Sequence, residues 1–153
     1  MFKNGFLRLT LTIMTVGIII FFLIAFQGIY WLFIDDNPPI EHFTTPLPVT
    51  PAVVAPGDHI HMQSDYCRYT DAPALLTTWW QNVDNGSIVD VEQRETSLGA
   101  GCGKVTIKLT VPNLDPGHWK RVNLAVYHVN PLAEREARWE SEPFEVLPLE
   151  AIP

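Results

Sequence analysis

Two hydrophobic periods divide the chain. From Leu9 to Ile34 no side chain is charged, and Ile13 to Phe26 is aliphatic or aromatic at almost every position. About 20 such residues cross a ~30 Å hydrocarbon layer as a helix, and a soluble helix is rarely apolar on every side for this long. The pattern therefore predicts a transmembrane helix over residues 9–34, with Tyr30 and Trp31 at the headgroup level that amphipathic rings favour. Beyond it the period falls to two.

His59 to Tyr66 alternates, with Ile60, Met62 and Tyr66 on one face and His59, His61, Gln63 and Asp65 on the other. Leu75 to Val83 is rich in β-formers. Asn85-Gly86, both tolerant of positive φ, predicts a hairpin into a short strand at Ile88–Val91. Lys104 to Val111 is the clearest strand, expected to turn Val105, Ile107, Leu109 and Val111 inward. A corner at Pro112–Gly117 leads into a strand over Trp119–Val129 with Val122, Leu124 and Val126 on one face. Ala133 to Arg138 reads as a helical turn or loop, and Pro143–Leu147 as a last strand. Six or seven short strands at roughly ten-residue spacing predict an all-β antiparallel sandwich over 52–148. Before it, residues 35–51 form a proline-rich linker (Pro38, Pro39, Pro46, Pro48, Pro51), extended because proline fixes φ and lacks an N–H. Residues 1–8 form a stub and 149–153 a tail.

Charge orients this plan. Of 10 Lys and Arg residues, only Lys3 and Arg8 precede the span, leaving 8 against 17 acidic residues after it. The positive-inside bias places the stub in the cytoplasm and the carboxyl-terminal domain in the periplasm or outside the cell. A cleaved signal peptide would have an apolar run of ~7–15 residues ending in a small-x-small site. The run here is longer and Ala25-Phe26-Gln27 fits such a site poorly, so a retained single-pass signal anchor is expected. The acidic balance speaks against nucleic acid as a partner, since phosphate neutralisation needs clustered cations. Gln27, the one strongly polar residue deep in the span, has an amide able to bond a neighbouring helix.

The strand pattern resembles immunoglobulin-like or fibronectin-III-like sandwiches of exported bacterial and phage-encoded proteins. The residues that carry the resemblance are Val53–Asp58, a tryptophan in the third strand (Trp79 or Trp80), the corner Leu114–Trp119, and Ser141–Val146. It implies a sandwich of about seven strands and no reaction, because such domains mostly bind, space or assemble. The two cysteines depart from the antibody pattern. An oxidising compartment favours a Cys67–Cys102 disulfide, expected to tie the edges of the two sheets; the alternative is two reduced thiols that never meet.

Candidate chemistry is sparse. His59 and His61 point the same way from one strand, a geometry that can hold copper or zinc if Asp65, His118 or His128 joins them. With no second ligand pair at diagnostic spacing, a polar outer face on a half-buried strand is the favoured reading. Trp79 and Trp80 must split across a strand, one into the core and one towards a protein partner. Glu134 to Glu140 reads as a solvated loop or edge whose charges deter strand-to-strand aggregation. No nucleophile elbow, zinc-protease motif or phosphate loop occurs, so neither an enzyme nor a cofactor is expected. The expected function is a membrane-anchored binding or assembly module, serving an envelope complex, a membrane-containing virion or a phage-encoded role at the host envelope. Its partners would be the lipid bilayer and a protein. The alternative is a periplasmic copper- or zinc-handling protein using His59 and His61.

Overall fold

A computed structural model describes residues 2–31, 38–96, 99–130 and 133–148. It is mostly β-sheet with one apolar amino-terminal helix. Residues 32–34 of the expected span, the acidic pair at 35–36, Pro131 and the tail at 149–153 lie outside the described residues.

Helix α1 spans Phe2–Ile29. Its stretch Leu11–Ile29 has a mean hydropathy of 2.3, is long and apolar enough to cross a membrane, and buries none of its side chains within the protein. The Thr15 hydroxyl donates back to the Leu11 carbonyl (2.9 Å), so this polar group is satisfied within the helix. Gln27 lies exposed on the helix surface. Tyr30 and Trp31 follow the last α-helical turn, Tyr30 exposed and Trp31 half-buried.

The β unit contains β1 (Ile40–His42), β2 (Val49–Thr50), β3 (Val53–Val54), β4 (His59–Arg68), β5 (Ala74–Asn82), β6 (Ile88–Thr96), β7 (Gly101–Thr110), β8 (Gly117–Asn130), β9 (Ala133–Glu140) and β10 (Phe144–Val146). One sheet centres on β4, which pairs with β1 and β2 along one edge and with β7 along the other. The second runs β3-β10-β8-β5-β6, with β9 also pairing with β8. The ladders β1–β4, β2–β4, β4–β7, β5–β6, β5–β8 and β8–β10 are antiparallel, and β3–β10 is parallel. Residues of both sheets share one apolar cluster, including Val49, Ile60 and Met62 from the first and Val54, Trp80, Trp119, Phe144 and Val146 from the second.

Local chemistry sets the corners. In the Ala55–Asp58 turn the Asp58 carboxylate accepts from the Ala55 N–H (2.8 Å), and Gly57 takes φ 91°, which an L side chain resists. At the Asn85-Gly86 hairpin the Asn82 side-chain oxygen accepts from the N–H groups of Asp84 (2.9 Å) and Asn85 (3.0 Å), while Gly86 adopts φ 75°. In the next corner the Trp119 indole N–H donates to the Asp115 carbonyl (2.8 Å), locking the turn to the strand it launches.

Three expectations need correction. Residues 35–51 are not all linker: Ile40–His42 and Val49–Thr50 pair with β4, because their alternating apolar residues find an open edge there despite the flanking prolines. Ala133 to Arg138 is strand rather than helical turn or loop, since β8 runs long enough to pair with it. On β8, Val122, Leu124 and Val126 share one face, as expected, and Val122 is buried there. Register places Trp119, Arg121, Asn123, Ala125 and Tyr127 on the face shared with Ala74, Leu76, Thr78 and Trp80. Both faces of β8 carry apolar residues, so alternation alone could not choose between them. Finally, Cys67 and Cys102 form a disulfide, but within one sheet, as directly opposed residues of β4 and β7.

Candidate functional site

The inter-sheet space is unevenly filled. At one end Trp80 meets Phe144 edge-on (ring centroids 5.7 Å apart, 82°) among buried aliphatic residues. Further along the same strands the apolar cluster shrinks to Ala74, Leu76, Ala125 and Tyr127. Beside them lies a cavity of about 550 Å³, within the range typical of ligand sites. Its walls come from β1, β4, β5, β6, β7, β8 and β9.

Period-two geometry explains who faces it. Ile40 and His42 sit opposite Arg68 and Tyr66, and Leu76 sits opposite both Arg94 and Ala125, so all seven turn to one space. The His42 ring lies 4.5 Å from that of Trp139 and 6.1 Å from that of Tyr66. Its Nδ1 shares a hydrogen bond with the Ser64 hydroxyl (2.8 Å), whereas Nε2 is buried without a partner. Burial pushes the His42 pKa below its ordinary value of 6.5, which keeps the ring neutral at pH 7. Arg68 is buried, and among the described residues no carboxylate pairs with it. Its guanidinium donates to the Thr70 carbonyl (2.9 Å) and the Ala72 carbonyl, and stands over the Tyr127 ring (5.3 Å). Burial raises the Tyr127 pKa, so its phenol stays protonated. The cavity thus offers aromatic and aliphatic walls with a few polar groups, an arrangement suited to holding an apolar body.

One wall is incomplete. Ile60, Met62 and Ser64 of β4 are buried, but their neighbours Leu109 and Ile107 are only half-buried and Val105 is 39% exposed. Among the described residues β7 pairs only with β4, and β6 closes the other sheet with its far edge unpaired. The inward row of β7 therefore borders an open slot.

A second polar feature separates the two ends. Arg121 is buried with its guanidinium 4.6 Å from the Trp80 ring centre, donating to the Thr78 hydroxyl and to Glu92 (3.1 Å). Burial lowers its pKa and the Glu92 charge opposes that shift.

The residues singled out from sequence scatter. Trp80 is 1% exposed and belongs to the core, which removes it as a partner contact. Trp79 is half-buried on the opposite face, with the Arg138 guanidinium 5.9 Å from its ring. His59 and His61 are exposed on the outer face of β4, and the His59 Nδ1 shares a hydrogen bond with the Thr110 hydroxyl (3.1 Å). Asp65 is engaged with Lys104, His118 with Asp84 and His128 with Glu134. Among the described residues no group of three His, Cys, Asp or Glu side chains could hold a metal. The sequence pattern does not mark the residues that line the cavity, His42, Arg68, Tyr127 and Trp139. The signal that could have found them was the apolar Ile40 and Leu47 between prolines, which mark a strand where a linker was expected.

No protein-family model matches the chain, and no curated protein matches it. Among solved structures it is similar to the alkylpurine DNA glycosylase AlkC of Pseudomonas fluorescens bound to DNA containing an abasic site analog (20% identity, TM-score 0.44, 72% of this chain and 31% of that one). It is also similar to OgpA of Akkermansia muciniphila (13% identity, TM-score 0.42, 72% and 30%). A third is the sporulation control protein Spo0M of Bacillus subtilis (10% identity, TM-score 0.34, 70% and 48%). The chain spans under a third of the first two proteins and about half of the third. At these values the likenesses carry no argument about family or activity.

Proposed function

We propose that this chain is a single-pass membrane-anchored, non-enzymatic binding or assembly module. In this reading α1 remains in the bilayer, the short amino terminus is cytoplasmic, and the β unit is an immunoglobulin-like sandwich on the periplasmic or extracellular side. The observation that carries it is the apolar stretch Leu11–Ile29, none of whose residues is buried within the protein, so that it calls for lipid around it. Strand order supports the sandwich: β10-β8-β5-β6 corresponds to the G-F-C-C′ order and β4-β7 to the B-E pair of such domains. Its departures are the absence of a further strand beside β7 among the described residues and the placement of the disulfide within one sheet.

Anchoring confines the domain to two dimensions and raises its effective concentration near a membrane-bound partner. Such a partner belongs to an envelope complex or a membrane-containing virion. What converges on the cavity supports binding: rings, aliphatic walls, a neutral imidazole, and a guanidinium engaged by two carbonyls and a ring.

Alkaline carbonate washing of membranes tests the anchor. The full-length mass is expected to stay in the pellet, and a carboxyl-terminal tag is expected to be cleaved by protease added to spheroplasts. Mature protein beginning near Gln27, or a protected tag, overturns this reading.

A further inference from the structure

We infer that the slot beside β7 accepts an extended segment of another polypeptide, added as a strand to the free edge of β7, with alternating apolar and acidic residues. This rests on the binding-module reading and names its partner class.

The edge is continuous. β4 and β7 keep one register over ten pairs, from His59↔Thr110 to Arg68↔Gly101, without a bulge. Cys67 and Cys102 are a narrow pair, with Cα atoms 4.0 Å apart, as in the non-hydrogen-bonded positions of an antiparallel ladder. By alternation, Cys102, Lys104, Thr106, Lys108 and Thr110 point their backbone N–H and C=O groups away from β4, towards the vacant side. The far edge of β6 is a poorer template: its register shifts opposite Thr78 and Trp80, and Asp90 there takes φ 53°.

Period two then dictates the occupant. Residues of an added strand opposite Lys104 and Lys108 share their outward face, and those opposite Val105, Ile107 and Leu109 turn inward. The inward positions adjoin the cavity that Val105 and Ile107 already line. The Lys104 side chain is 84% exposed even while paired with Asp65, and Lys108 is exposed opposite His61. Outward acidic residues complement these two cations, while inward apolar residues cover the row that is open to water. A small amphiphile would fill the cavity but leave the backbone edge unpaired; a strand satisfies both.

The test uses the full chain in phosphatidylcholine nanodiscs and a blocked nine-residue peptide of alternating Val and Glu. Slowed amide exchange at Lys104, Thr106 and Lys108 is expected on adding the peptide. The double variant K104E/K108E is expected to weaken binding about tenfold and to favour a Val/Lys peptide instead. Unchanged exchange, or equal binding by a peptide with N-methylated alternate amides, overturns the proposal and leaves the lysines as guards of a bare edge. Decanoate shifting the His42 ring signals without protecting β7 assigns the cavity to an amphiphile and overturns it too. So does protection that rises with the chain's own concentration in the absence of peptide, which assigns the edge to a second copy. Photocrosslinkers at Thr106 and at Thr77, beside Trp79, separate the two levels in native membranes. Capture through Thr106 of a protein that, once purified and added back, slows exchange at Lys104, Thr106 and Lys108 supports the edge. Capture through Thr77 alone overturns the edge and keeps the binding module, and capture through neither overturns both.

Discussion

The two ends of the inter-sheet space draw on the same four strands, β4, β5, β7 and β8, and differ in what fills them. At the closed end these strands contribute Ile60, Met62, Leu109, Trp80 and Trp119, and β10 adds Phe144 and Val146. At the open end they contribute Ser64, Tyr66, Arg68, Val105, Ile107, Leu76 and Ala125, around a cavity. The closed end is filled by buried apolar side chains; the open end has rings and polar groups around a cavity and, among the described residues, no strand beyond β7. A covalent link joins the sheet where packing is thin, since Cys67 and Cys102 lie on the open-end halves of β4 and β7. The lesson is a division of labour: one half supplies the packing that holds the sheets together, leaving the other free to stay unfilled.

The largest effect expected is at Trp80. Trp80→Ala removes a fully buried ring and should cost about 3–5 kcal/mol, against no more than about 2 for Trp139→Ala, whose ring is only half-buried beside the cavity. Denaturant midpoints followed by circular dichroism measure both, and equal losses would erase the distinction between the ends.

Next is the staple. Opening the disulfide in the double variant C67S/C102S frees a loop closed across 35 residues, about 3–4 kcal/mol in the chain-entropy model. Amide exchange should rise first along β4 and β7 near residues 66–68 and 101–103. A uniform rise across both ends would mean that the disulfide does not serve the open end in particular.

Enlargement sharpens the comparison. Val146→Phe overpacks the closed end and should cost about 1–3 kcal/mol. Ala125→Leu adds bulk where a cavity already lies, so its cost should stay under about 1 kcal/mol, and strand binding at β7 should weaken as the space fills.

The smallest effect is that of pH. His42 has a lowered pKa in the folded protein, so unfolding lets the ring take up a proton between that value and 6.5. Stability contributed by the neutral ring is therefore present above pH 6.5 and is lost as pH falls through the lowered folded value. Comparing unfolding midpoints at pH 7.5 and 5.5, His42→Phe should flatten this part of the pH dependence. An unchanged slope would show that the His42 site does not discriminate between the two protonation states.

Much of this molecule is legible in its residues. The apolar run is read from composition alone because a helix satisfies its own backbone and needs no tertiary partner to be recognised. Asn85-Gly86 and Pro56-Gly57-Asp58 mark turns because positive φ and side-chain bonds to the backbone are local. The open end was not legible. His42 lies in a proline-rich stretch that reads as linker, and only pairing with β4 brings it to the cavity. On β8, Arg121 and Asn123 occupy the core face, which a polarity pattern assigns to the outside.

By itself the sequence determined the elements that rest on neighbours along the chain: the helix, most strands, the turns and the two cysteines available to pair. Tertiary structure alone decided which face of β8 is inside, that Cys67 opposes Cys102 within a single sheet, and that among the described residues β7 pairs on one side only. Those properties depend on register and on which strand lies beside which. Contacts between residues far apart in the chain fix both, and local alternation is blind to them.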